Sequence, residues 1–205
     1  MAIVESREPS GADGLGELVA PFIEAVRDGV VEIYNEISLQ HELGIFLRCN
    51  HKKSLVQFER NIKHFFPTIA ADAFTKREID IAIYTAEPRA LEWAIELKYP
   101  RNGQHPEQMF SFCKDVAFAE ELAMAGFRRA GLVIFAEDDL FWRGPTQGIY
   151  GYFRSKNPLN GVVRKPTGAK NEEVCIRGRY PVDWKPVVGS LMYAVIEVEK
   201  SFTPL

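Results

Sequence analysis

From Leu15 to Asn50 apolar positions recur with helical spacing, in "LGELVAPFIEAVRDGVVEIYNEISLQHELGIFLRCN", where Leu39, Leu43, Phe46 and Leu47 form one stripe. This pattern predicts two helices, or one helix interrupted near Asp28-Gly29. The period then drops to two. "SLVQFERNI", "REIDIAIYT" and "ALEWAIELKYP" alternate β-branched or aromatic residues with other types and read as three strands. Asn102-Gly103 breaks that alternation, and Pro106 suits the first turn of a helix "HPEQMFSFCKDVAFAEELAMAG" that closes at Gly126. The short apolar run "AGLVIFAED" reads as a central strand and "SLMYAVIEVE" as a last one. A helix between two strands of one sheet implies a crossover and at least one parallel pair, so the expected class is α/β with a mixed sheet.

With 205 residues, 46% of them hydrophobic, the chain can fill one core and is short for two. A single domain over residues 1–205 is expected, with the polar residues 1–13 loose. Between Phe141 and Ser190 seven glycines and five prolines divide the chain into turns. That loop-rich stretch, 141–190, carries nine Lys or Arg residues against Glu172, Glu173 and Asp183, whereas the whole chain has a net charge of -3. Any surface that attracts nucleic acid must therefore be local. Cys49, Cys113 and Cys175 are odd in number and never form a CxxC pair, which argues against a disulfide framework or a structural zinc site and fits a reducing cytoplasm. The N-terminus lacks a basic segment followed by an apolar one, and no run of about eighteen uncharged apolar residues occurs, so an unprocessed protein that does not enter a membrane is expected.

Charges interrupt the second and third strands. Alternation puts Ile79, Ile81 and Ile83 on one face of the second strand, and Leu91, Trp93, Ile95 and Leu97 on one face of the third. If those faces coincide, a turn centred on Pro88 pairs Ile81 with Ile95 and Ile83 with Trp93. On the opposite face it pairs Ala82 with Ala94, and Asp80 with Glu96. Two carboxylates directly across an antiparallel pair repel by a few tenths of a kcal/mol up to ~1. Lys98 follows on the same face, so two acids and an ammonium group converge at one end of the hairpin. A hard divalent cation with oxygen ligands, and a water polarised beside a lysine, is chemistry that uses such a set. The structural alternative is a solvated sheet face on which Lys98 offsets two acids, although Ala82 and Ala94 suit a face covered by a helix.

Asp80 followed by Glu96-Leu97-Lys98 on the next strand resembles the PD-(D/E)xK nuclease superfamily, over roughly Gln40 to Asp138. Ile79 stands where the name-giving proline would be. The resemblance implies a restriction-endonuclease-like core, a mixed sheet flanked by helices, in which Asp80 and Glu96 hold Mg2+ (or Mn2+) and Lys98 activates water and stabilises charge on the phosphate. The family's preceding helix often supplies a further acid, and Glu42 matches that position, where it would complete the metal shell directly or through water; a peripheral salt bridge is its alternative. Gln108 with Phe112 approximates a QxxxY pattern on the following helix, with Phe112 in place of tyrosine; a solvated first-turn glutamine is the alternative. Lys114 and Asp115 read as surface or structural charges, and Glu59 as a solvated strand charge. Among the basic residues of the second half, Arg143, Arg154, Lys156, Arg164 and Lys165 are candidates for phosphate contact, interleaved with Phe141, Trp142, Tyr150, Tyr152 and Phe153, which can stack on bases or fill a core.

The expected function is thus a metal-dependent nuclease acting on nucleic acid, DNA first, with a non-catalytic interaction module on the same fold as the alternative. One domain of this size leaves little room for a specificity module, which points to action as a homodimer or with a partner subunit.

Overall fold

The computed structural model describes residues 14–101, 103–168 and 171–198; the expectation of a loose 1–13 segment lies outside these. α1, Leu15–Arg27, buries Leu15, Leu18, Val19, Phe22, Ile23 and Val26 along one stripe. It stops at Asp28, followed by Gly29 at φ 71, a conformation that glycine adopts without penalty. α2, Glu36–Asn50, has a sharply defined start: Asn35 Oδ1 accepts the Ser38 N–H at 2.7 Å and Ser38 Oγ accepts the Asn35 N–H at 3.0 Å. Its stripe is Leu39, Leu43 and Leu47, and its Gly44 lies so close to the Phe58 ring that a Cβ there would sit 1.8 Å from a ring carbon.

β1, Leu55–Asn61, β2, Glu78–Thr85, and β3, Ala90–Lys98, form an antiparallel meander. α3, His105–Ala125, then crosses over to β4, Arg129–Ala136, which pairs parallel with β3. A short helix α4, Tyr150–Arg154, is followed by β5, Leu159–Arg164, β6, Glu173–Tyr180, β7, Lys185–Val188, and β8, Leu191–Val198. The main sheet is mixed and has the order β1-β2-β3-β4-β8-β7, while β5 and β6 make a separate two-stranded ribbon. The class is α/β, as the crossover pattern implied. The glycine-rich 141–190 stretch holds more regular structure than its turns suggested, namely α4, the ribbon and β7. Among the described residues no helix is long and apolar enough to cross a membrane.

Both sheet faces are covered. Ile81, Ile83, Ile95, Leu97, Val133 and Phe135 pack against α1 and α2, and Ala82, Ala94, Ala130, Leu132 and Ile134 against α3. Ile79, two residues beyond the last β2–β3 partners, joins the α3-side cluster instead of following Ile81 and Ile83. The ribbon contributes Leu159, Val163, Val174, Ile176 and Tyr180 to that same cluster, so α3 has cover on two sides. This explains why most of α3 is buried, including two charged residues, Asp115 and Glu120. Glu120 is satisfied by the Arg177 and Gly178 N–H groups and by the Tyr180 hydroxyl.

Candidate active site

The hairpin adopts the register that parity requires. Ile81 faces Ile95, Ala82 faces Ala94 and Ile83 faces Trp93, with an irregularity only toward the turn. Beyond Ile81 and Ile95, side chains take over from the backbone ladder. The Leu97 N–H donates to Asp80 Oδ2 at 2.7 Å, and the Asp80 N–H donates to Glu96 Oε1 at 3.3 Å. Asp80 and Glu96 therefore meet across the strands, with Glu96 linked through Lys76 to Asp115 of α3, on the side where Ala82 and Ala94 let the helix approach.

Two ammonium groups and a third carboxylate complete the cluster. Lys76, just before β2, places its Nζ against Glu96 Oε2 in a short ion pair, 3.0 Å from Asp115 Oδ1 and 3.9 Å from Asp80 Oδ1. Lys98 Nζ lies 3.4 Å from Asp115 Oδ2 and 3.4 Å from Glu36 Oε1. Glu36 in turn accepts the Tyr99 N–H at 3.2 Å, which anchors it in the first turn of α2. Glu96 is fully buried, and the Asp115 and Lys98 side chains are 3% and 12% exposed. Such charges need partners, and the cluster supplies them.

Burial, then the neighbouring Asp80, pushes the Glu96 carboxyl well above the ordinary glutamate value, although Lys76 pulls the other way. Burial likewise raises Asp115, against the pull of Lys98 and Lys76. For the two lysines burial opposes the charge but is outweighed. Glu96, Asp115 and Asp80 hold Lys76 above the ordinary lysine value, and Asp115 with Glu36 does so for Lys98.

On the α2 side, Glu36, Ile37, Gln40, Glu59, Asp80 and Leu97 line a pocket of about 80 Å³. Gln40 Nε2 donates to the Asp80 carbonyl at 3.0 Å and also to Glu59 Oε1. Glu59 has φ 46, rare for a residue with a Cβ, between the pairs Phe58–Ile81 and Arg60–Ile79. Read from sequence as a solvated strand charge, it is exposed and also faces Asp80 across this pocket.

Asp80 and Glu96 are thus brought together, and Lys98 is linked to them through Asp115, whose other oxygen meets Lys76. Glu42 is not with them: it is half-exposed, with its carboxylate 3.3 Å from the His41 ring. The Asn35 cap fixes the phase of α2 so that Glu36 and Gln40, one turn apart, face the hairpin, and Glu42 is displaced from Glu36 by ~120° around the helix. Gln108 is partly buried on α3, two turns before Asp115, and Phe112 is a core residue against Phe141 and Phe153. Asp115 is no surface charge, since it joins both lysines. Sequence reasoning also missed Lys76 and Glu36. A lone acid inside the apolar run "FCKDVAFA" and the Asn35 cap were available signals for Asp115 and Glu36, whereas Lys76 reaches the cluster only through tertiary folding.

The basic candidates divide. The Arg154 guanidinium donates to the Leu140 and Pro145 carbonyls and stacks 3.9 Å from the Tyr150 ring centroid. Lys165 pairs with Glu172, which also holds Lys114. Arg143 and Arg164 are largely exposed, each with one acid at 3.6 Å, and Lys156 is exposed. Phe141 and Phe153 are buried, and Trp142, Tyr150 and Tyr152 pack partly buried on the core.

Among the described residues no three His, Cys, Asp or Glu side chains are grouped so as to hold a metal ion. Comparison with protein-family models, curated proteins and solved structures gave no match.

Proposed function

We propose that the chain is a divalent-metal-dependent nuclease that hydrolyses phosphodiester bonds of nucleic acid, DNA first, on a restriction-endonuclease-like core. The observation that carries this reading is the meeting of Asp80 and Glu96 at one end of the β2–β3 hairpin, with Lys98 of the same hairpin end paired to Asp115, a buried acid of the crossover helix. The antiparallel meander followed by a helical crossover to a parallel strand supports it. The donor set fits a hard cation. Carboxylate oxygens of Asp80, Glu96 and Asp115 turn toward one ammonium group, and the buried Asp115 Oδ2 has no hydrogen bond beyond its ion pair with Lys98 at 3.4 Å.

Asp80 and Glu96 would hold magnesium or manganese. A bound ion of this kind polarises phosphate oxygens and acidifies a water. Lys98, gripped between Asp115 and Glu36, orients the attacking water and offsets charge that accumulates on the phosphate. In this reading Glu36 and Asp115 fix that ammonium group, and the outer acid on α2 is Glu36 instead of Glu42.

One observation favours a non-catalytic interaction module: Lys76 already pairs with the hairpin acids. Plasmid, linear duplex, branched DNA, single strands and RNA, incubated with magnesium, manganese or chelator, separate the two. Metal-dependent cleavage that disappears in Asp80→Asn is expected. Binding without cleavage under every metal supports the module instead.

A further inference from the structure

The Lys76 ammonium group stands where the three carboxylates of the site converge. It touches Glu96, lies 3.0 Å from Asp115 Oδ1 and 3.9 Å from Asp80 Oδ1. No other described cation meets all three. Its backbone is held in place by its neighbour, because both the N–H and the hydroxyl of Thr75 donate to the Glu121 carboxylate at 2.6 Å. The side chain is different: it is 28% exposed, the most accessible member of the group apart from Glu36. Its stem therefore has a route to solvent that Glu96 and Asp115 lack.

Charge counting points the same way. Asp80, Glu96, Asp115 and the more exposed Glu36 face Lys76 and Lys98, so carboxyl groups outnumber ammonium groups four to two. Exchanging one ammonium group for a divalent ion adds one positive charge where the carboxyl groups are in excess. Carboxylates that cannot retreat into water must be matched by a cation or take up a proton, so departure of one cation favours arrival of another.

We infer that Lys76 is a tethered cation that occupies the metal position of the resting protein, sets the affinity of the site for divalent ions by competing with them, and swings into solvent when one binds. This rests on the metal-site reading above, and goes beyond it by assigning Lys76 a role that opposes the ion. The competition has a direction. Removing the ammonium group weakens the metal-free fold and tightens metal binding, whereas removing a true ligand weakens both metal binding and its stabilising effect.

The test is a manganese titration by calorimetry and by thermal melting on wild type and Lys76→Met, which keeps the apolar stem. Lys76→Met is expected to melt lower in chelator, to bind manganese at least tenfold more tightly, and to show a larger metal-induced rise in Tm. Equal or weaker binding by Lys76→Met, with clear binding by wild type, overturns the role of Lys76 and leaves the metal site standing. Absence of binding in both proteins overturns the site and the inference together, and binding in Lys76→Met alone supports both. If Lys76→Met does not fold, wild type decides by itself. Amine acetylation read by mass spectrometry should modify Lys76 several-fold faster with saturating manganese than with chelator, and an unchanged or slower rate at confirmed saturation overturns the exchange.

Discussion

Lys98 is held by two acids from different helices, Glu36 and Asp115, and so has little freedom of its own. Such fixing is what a group acting on a water and a phosphate requires. In a nuclease, Lys98→Ala should retain the fold and lower the cleavage rate by about 10²–10⁴, the range of a positioned proton-transfer group; full activity in a folded variant removes the lysine from the mechanism. Glu96 carries a different signature. Its carboxyl is pushed up by burial and by Asp80, so the folded chain binds its proton more readily than the unfolded chain does. Stability from this group is complete below the ordinary value of 4.5 and is lost as pH rises through the raised folded value. The stability of Glu96→Gln relative to wild type should therefore improve as pH rises above 4.5, which denaturant melts across pH will show. A relative stability that declines instead would mean that pairing with Lys76 outweighs burial.

At the scale of elements, α2 meets β1 at Gly44, where the Phe58 ring leaves no room for a Cβ. Gly44→Ala must push the ring or the helix aside, at a cost of about 1–3 kcal/mol in unfolding free energy. Because α2 also carries Glu36 and Gln40, the same change should blunt any activity beyond its effect on stability; an unchanged melting midpoint would refute the close approach. The hairpin register was legible because a strand has period two, and one slip would turn Ile81 and Ile95 away from the core. Helix phase was less legible. The sequence pointed to Glu42, six residues beyond Glu36, and the cap at Asn35 is what fixes which side of α2 faces β2. β6 had a readable alternation, with Val174 and Ile176 buried and Cys175 exposed, but the surrounding glycines and prolines obscured it. Lys76 left no local trace, because its partners lie on β2, β3 and α3.

For the molecule as a whole, charge is divided between a compact ionic site and a basic second half. The local surplus overstates the cations free to meet phosphate, since Arg154 and Lys165 are engaged within the protein. If nucleic acid binds this half, Lys156→Ala and Arg164→Ala should each reduce the magnitude of the slope of log affinity against log salt by about 0.7–0.9. Arg154→Ala should lower the melting temperature, because its guanidinium ties Leu140 and Pro145 together. Salt titrations with the three variants check this. Equal slopes throughout would mean that nucleic acid uses another face.

The carboxylate of Glu120 has a consequence for how parts of the chain open. Arg177 and Gly178 in β6 donate their N–H groups to this acid of α3 and not to a strand. Their exchange with deuterated water therefore reports separation of the ribbon from the helix, whereas other β6 amides report fraying of the ribbon. A ligand that clamps the ribbon onto α3 would slow these two amides selectively. They make a natural pair of reporters for whether whatever binds the basic half is felt by the helix that carries Asp115.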